Sequence, residues 1–267
     1  MKFNKNILFK ILLFLLGTYL FTLGLSLYLP TAFGVMHLDF TIYSLLMWFK
    51  GVEIDGTLTP EISNGIYHWL ILGILFFILA IISTGFLIWS YAKQGKEVLR
   101  KKEVKKIIFW SFISDFAIVL MEPAFLLLHE HTIVTHEVAS AIKEMPEQFR
   151  ILILLGGFLL NALGDAIWIS SKICLGPYNS ICSNFQKATN WNYTPSRIML
   201  DCLILLPGIL FVIIQPGVWQ IKGDFFLNYL NIGTIMFVFA FGPIVHLFEK
   251  YINKLLFTFN KKTTSLH

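Results

Sequence analysis

Charge is scarce in this chain, and the places where it is missing say more than the total. Only 14% of residues are charged, against 56% hydrophobic and 16% aromatic, with a mean hydropathy of +0.71. Residues 11–36, 62–92, 202–221 and 225–248 contain no Lys, Arg, Asp or Glu. Each gap approaches or exceeds the roughly 20 residues needed to cross a bilayer, and this composition rejects a soluble domain. Cysteine is scarce as well. Cys174, Cys182 and Cys202 fit no zinc-site spacing, and a reducing cytoplasm disfavours pairing them; they read as small packing residues. The chain also lacks a Gly-x-x-x-x-Gly-Lys-(Ser/Thr) loop. That sets nucleotide hydrolysis aside and leaves an ion gradient or a separate ATPase subunit as the energy source. Nothing in the sequence calls for a bound cofactor.

What is present is a set of long apolar stretches. Beside the uncharged windows, residues 107–128 and 150–171 are apolar with one or two acids each. The count is six spans, at about 7–29, 66–92, 106–128, 150–171, 197–215 and 228–257. Lipid leaves helices or closed barrels as the only spanning structures, and these stretches are too long for barrel strands. The expected fold is therefore all-α and polytopic. It divides into a first membrane repeat (1–128), an external linker (129–148) and a second repeat with a cytoplasmic tail (149–267).

The basic residues supply the orientation. Lys2, Lys5 and Lys10 precede the first span, and the loop 93–106 holds Lys93, Lys96, Arg100, Lys101, Lys102, Lys105 and Lys106. Lys172, Lys187 and Arg197 follow the fourth span; Lys250, Lys254, Lys261 and Lys262 follow the sixth. Placing these segments in the cytoplasm puts 17 of the 21 basic residues inside. The opposite loops carry Asp39, Glu53, Asp55, Glu61, Glu130, Glu137, Glu144, Glu147 and Asp224. Both termini are thus expected in the cytoplasm of a multi-pass cell-membrane protein. The same rule accounts for the net charge of +5 without a nucleic-acid partner. The basic start followed by an apolar run also looks like a signal peptide, but the run reaches Leu29 without a small-residue cleavage pattern. It reads as a retained first span.

A glycine pattern recurs within this frame. Gly17, Gly24 and Gly34 form Gly-x6-Gly-x9-Gly, and Gly157, Gly164 and Gly176 repeat it with two extra residues in the second gap. An odd number of spans separates the copies, which predicts two inverted three-helix repeats of the kind common in transporters. Each copy ends in a short apolar segment, after Gly34 and after Gly176–Pro177. Two readings stand for these segments: re-entrant helices marking a binding site, or interfacial helices anchored in the first copy by Trp48 and Phe49.

The motifs around these breaks resemble those of the YczE/YyaS/YitT group of bacterial membrane proteins. Gly34-Val-Met-His-Leu-Asp39 is similar to the group's Leu-Gly-x-x-Pro-x-Asp turn, with His37 in place of the proline. Arg197-Ile-Met-Leu-Asp201 resembles its Arg-x-x-x-(Asp/Glu). Asn231-Ile-Gly233-Thr234, followed by Gly242-Pro243, resembles its Gly-x-Gly-Thr…Gly-Pro signature, with Asn231 for the first glycine. The resemblance covers about 150–250 well, 12–50 more weakly, and little between. The group is described as permease-like, so the resemblance implies architecture more than activity, and it places Arg197 and Asp201 beside the Gly176–Pro177 break.

Candidate functional residues are the ionisable groups within spans, which are costly in lipid and functional by default. Asp115 and Glu122 lie two helical turns apart on one face of span 3. Asp165 lies in span 4 with Asn161 one turn earlier. The three acids suit cation binding or proton relay; for Glu122 and Asp165 the alternative is a shallow place near a span end, reaching water. Arg197 and Asp201, four apart, can pair along a helix as a local clamp or hold an anionic solute. Gly233 and Gly242 suit close helix packing, and Pro123, Pro207 and Pro243 suit kinks. The run His129-Glu130-His131…His136-Glu137 has metal-ligating residue types without a ligand spacing; it reads as a solvated loop, with no metal. Ala162-Leu163-Gly164-Asp165 approaches the Gly-x-Gly-Asp motif of intramembrane aspartyl proteases. However, Ala162 and Ser114 depart from that pattern, Pro123 falls in the wrong span, and no enzyme is expected. The expected function is a small-solute permease or the substrate-binding membrane component of a transporter. Its partners would be the lipid bilayer, a solute or ion, and a membrane or ATPase subunit. The alternative is a non-transporting accessory or scaffold protein docking through the basic loop 93–106.

Overall fold

The computed structural model describes residues 5–59 and 66–264; Lys2 and Glu61, counted above, lie outside them. Those residues form helices and connecting turns, with no strand among them. In chain order they are α1 (Lys5–Tyr28), α2 (His37–Lys50), α3 (Ile66–Ala92), α4 (Lys96–Arg100), α5 (Lys102–Thr132) and α6 (His136–Glu144). There follow α7 (Glu147–Ser171), α8 (Gly176–Thr189), α9 (Tyr193–Ile214), α10 (Trp219–Tyr229), α11 (Ile232–Met236) and α12 (Gly242–Thr264). A wide π turn, Phe237–Phe241, joins the last two. Among the described residues six segments are long and apolar enough to cross a membrane: Ile7–Thr31, Leu70–Ala92, Lys102–Thr132, Glu147–Ser171, Tyr193–Ile214 and Ile232–Leu256. The chain is an all-α polytopic membrane protein, and α2 and α8, at 14 residues each, are too short to span.

The helices gather into two compact units, each drawn from both halves of the chain. One unit contains the chain up to Pro30, Leu120–Leu175 and the part from Pro243 onward. Its centre is the contact of α1 with α7, which is made by backbone. A Cβ on Gly17 would lie 2.4 Å from the Trp168 nitrogen, and one on Gly164 would lie 2.2 Å from the Phe21 nitrogen. One on Gly24 would lie 2.4 Å from the Asn161 nitrogen and 2.6 Å from the Gly157 oxygen. Gly17 therefore meets Gly164 and Gly24 meets Gly157, so the helices run antiparallel, held by van der Waals packing that only small residues allow. The recurring Gly-x6-Gly spacing has this local cause. Asn161 adds a side-chain bond, donating from Nδ2 to the Phe21 carbonyl at 2.8 Å.

The other unit contains Thr31–Val119 and Gly176–Gly242. In it α2 lies along α9 and α8 along α3. Thr41 donates to the Ile204 carbonyl at 2.6 Å and Trp48 Nε1 to the Phe211 carbonyl at 2.6 Å. Both partners advance by seven residues, so α2 and α9 run parallel. Ile204 lies three residues before Pro207, in a turn where proline removes a donor and leaves carbonyls to be satisfied from outside. Gly208 lets α2 approach closely: a Cβ there would be 2.9 Å from Thr41 Cα. Asn184 Nδ2 donates to the Ser83 hydroxyl at 3.0 Å, fixing α8 to α3.

Candidate functional site

Both short helices begin after left-handed backbone. Ala32 (φ 59°) and Gly34 (φ 101°) break the chain before α2; Lys172 (φ 57°) does so before α8 and Gly176 (φ 72°) at its first residue. Such conformations suit glycine and are held elsewhere only by their surroundings. Thr234 supplies those surroundings at the first break. Its hydroxyl donates to the Val35 carbonyl at 2.6 Å, and a Cβ on Gly34 would sit 2.8 Å from it. Gly233 adds a backbone bond from its N–H to the Phe33 carbonyl at 2.8 Å. At the other break Pro177 is buried in the first turn of α8.

The two breaks bring the first turns of α2 and α8 together on one side chain set. His37 Nε2 lies 2.5 Å from the Tyr178 hydroxyl. That hydroxyl donates to Asp201 Oδ1, which also lies 3.7 Å from His37 Nε2. Since the phenol proton points at Asp201, His37 must carry its proton on Nε2 and donate to the phenol oxygen. Burial first, and the Arg197 guanidinium second, push the His37 imidazole down to about 3, so it is neutral. Burial, and then Asp201, hold the Tyr178 phenol well above its usual range.

Arg197 completes the set. Its Nε lies 3.4 Å from Asp201 Oδ1, and NH1 donates to Asn179 Oδ1 at 2.5 Å. The guanidinium stacks over Tyr178 at 4.1 Å and reaches Phe241 at 5.6 Å. Its stem rests on Gly242, where a Cβ would be 2.8 Å from Arg197 Cγ. Arg197 and Asp201 are 2% and 0% exposed, so this is a desolvated ion pair, and such a pair is costly to build unless its geometry is good. Phe241 and Gly242 stand at the edge of the π turn, and wide turns of this kind occur often at functional sites. The set presents one cation, one anion, a neutral imidazole and a phenol, and it can hold a compact polar group through charge-assisted bonds.

An apolar cavity of about 570 Å³ lies in the same unit. Its wall includes Leu38, next to His37, and Leu200, next to Asp201; it extends to Phe49 and Phe211 at the far ends of α2 and α9. Thr41 is the one hydroxyl in the wall among the described residues, and it already donates to Ile204.

The sequence candidates fall into groups. Arg197, Asp201, Gly34, Gly176, Pro177, Gly233, Thr234 and Gly242 all belong to the breaks or the polar set. Pro243 follows in the first turn of α12. Asp39 lies in the first turn of α2, half-buried, with burial pushing its carboxyl up to about 7. Asp115, buried, accepts from the Ser180 hydroxyl of α8 at 2.5 Å. Asn161 and Asp165 are fully buried in α7, and Glu122 is half-buried in α5. His129 departs from the expected solvated run: it is buried, with Nε2 3.0 Å from Thr22 Oγ1, because α5 continues to Thr132. His131 and His136 are exposed, and no group of metal-ligating side chains exists among the described residues. Sequence reasoning missed His37, Tyr178 and Asn179 as members of the set. Their signal was position: each lies within three residues of a break glycine.

No curated protein and no solved structure matches the chain. A family pattern does, over residues 10–250, and the chain belongs to that family, DUF6198, a family of unknown function.

Proposed function

We propose that the protein is a small-solute permease, or the substrate-binding membrane component of a transporter, of two inverted repeats related to the YczE/YyaS/YitT group. The observation that carries this reading is the convergence of two broken segments on the buried set His37, Tyr178, Asp201, Arg197 and Asn179. Discontinuous helices in corresponding places of two halves are the transporter pattern for holding a solute, and their N-terminal turns favour negative charge. The adjoining cavity takes the apolar part of the solute while the polar set grips a compact polar group. The topology that goes with this reading has both termini in the cytoplasm of a cell-membrane protein. The roles assigned are binding roles, and none is catalytic.

The test is thermal stability of the purified protein against a panel of solutes that join an apolar body to a carboxylate, amine or hydroxyl. A binder at 100 times its dissociation constant should stabilise by roughly 2.7 kcal/mol. The shift should shrink when Arg197 becomes Lys, because Lys cannot reproduce the planar fork. A panel that leaves melting unchanged in a folded sample counts against the reading. One observation favours docking instead: Lys101, Lys102, Lys105 and Lys106 are all exposed around buried Val104. Loss of a co-purifying partner on neutralising those lysines would select that alternative.

A further inference from the structure

Asp115 stands apart from the polar set yet touches the helix that carries Tyr178 and Asn179. It lies near the middle of a membrane span and is 1% exposed. Oδ1 accepts from Ser180 at 2.5 Å, while Oδ2 has no hydrogen-bond partner among the described residues. Ser180 follows directly on Tyr178 and Asn179, the residues that hold Asp201 and Arg197. A buried carboxylate with one bare oxygen is expensive unless it can take up a proton.

We infer that Asp115 is a proton-binding site that couples to the solute site through Ser180 and α8; this rests on the permease reading above. A metal cation is a poorer occupant. Hard cations ask for about six oxygen ligands, and this site supplies a carboxylate and a hydroxyl, with no metal-ligating cluster among the described residues. The surroundings leave the titration to Asp115. On α5 no other charged residue lies between Lys106 and Glu122. On α3 the ionisable groups are Tyr67, His68 and Tyr91, all near its ends. On α8 they are Tyr178, Cys182 and Lys187, and Lys187 donates to Asn184. The step is proton uptake by Oδ2. It turns a charge-assisted bond from Ser180 into a neutral one of about half the strength, loosening the first turns of α8 where Tyr178 and Asn179 sit.

Cys182, two residues beyond Ser180 and 1% exposed, reports that loosening. The experiment uses the full-length protein with Cys174→Ser and Cys202→Ser, reconstituted and labelled with a maleimide from about pH 5 to about pH 9. Asp115→Asn in the same background serves as reference and cancels the thiol's own ionisation. If opening follows the protonated fraction, the ratio of parent to reference labelling falls about tenfold per pH unit above the transition and is flat below it. Ser180→Ala, which spares the acid but removes the bond, should abolish most of that pH dependence. A parent-to-reference ratio that is flat across the range, with both proteins folded, overturns the inference. So does a Ser180→Ala profile that matches the parent. No solute is required, so the outcomes separate. An Asp115-dependent profile beside a silent solute panel keeps the proton site and sinks the permease reading; a solute hit beside a flat ratio does the reverse.

Discussion

Replacing Gly164 by Ala should cost the protein far more than replacing its near neighbour Gly156. At Gly164 the new Cβ would fall 2.2 Å from the Phe21 nitrogen, 2.7 Å from Phe21 Cα and 2.8 Å from the Gly17 oxygen. All three are backbone atoms, which cannot swing aside as a side chain can. Ordinary contact needs well over 1 Å more, so α1 and α7 must separate by about that amount. A radial gap of even about 0.5–1 Å forfeits a quarter to a half of each dispersion contact, and the loss extends to the Gly17, Gly24 and Gly157 contacts. Overpacking typically costs about 1–3 kcal/mol and occasionally more. With the Asn161–Phe21 bond stretched as well, we expect about 3 kcal/mol. At Gly156 nothing lies within 4 Å, and alanine there should gain up to about 1 kcal/mol from helix propensity. Melting of the two variants in one detergent should therefore differ by about 4 kcal/mol, or roughly 8–16 °C at about 2–4 °C per kcal/mol. Equal melting of the two variants would refute the backbone contact. A loss at Gly156 as large as at Gly164 would refute it too.

Two further outcomes are expected. Asp201→Asn leaves the Arg197 guanidinium buried without the carboxylate that faces it, so the variant should lose about 3–5 kcal/mol in the same melting assay and should bind any solute found for the parent differently. Asp39 gives a pH dependence. Its carboxyl is pushed up to about 7 from 3.8, so the unfolded chain releases that proton more readily than the folded one. The folded state loses stability as pH rises from about 4 to about 7, with no contribution below and a constant cost above. Melting of Asp39→Asn should match the parent in acid, pull ahead through that window and stay ahead at higher pH.

Much of this was legible because lipid punishes exceptions. The uncharged windows gave span positions that agree with the helices to within a few residues. The breaks showed because Gly34 and Gly176 interrupt apolar runs, and a left-handed residue there admits little else. Arg197 and Asp201 were visible as a pair because four residues make one helical turn. His37, Tyr178 and Asn179 were not, since they join that pair through contacts between residues at least 18 apart in the chain. Local spacing carries no record of such contacts. His129 was misplaced for a related reason: a polar run beside a span end looks solvated, and only the approach of Tyr19 and Thr22 buries it.

The glycine contact between α1 and α7 also shapes how this chain can change over time. In an ordinary core an enlarged residue can be rescued by a smaller neighbour. Here the neighbours of Gly17, Gly24 and Gly164 are main-chain atoms, which no substitution can shrink. A side chain gained at any of these positions has no second-site partner able to make room for it. Drift at the interface is blocked one position at a time, because shrinking a neighbouring side chain does not relieve the clash.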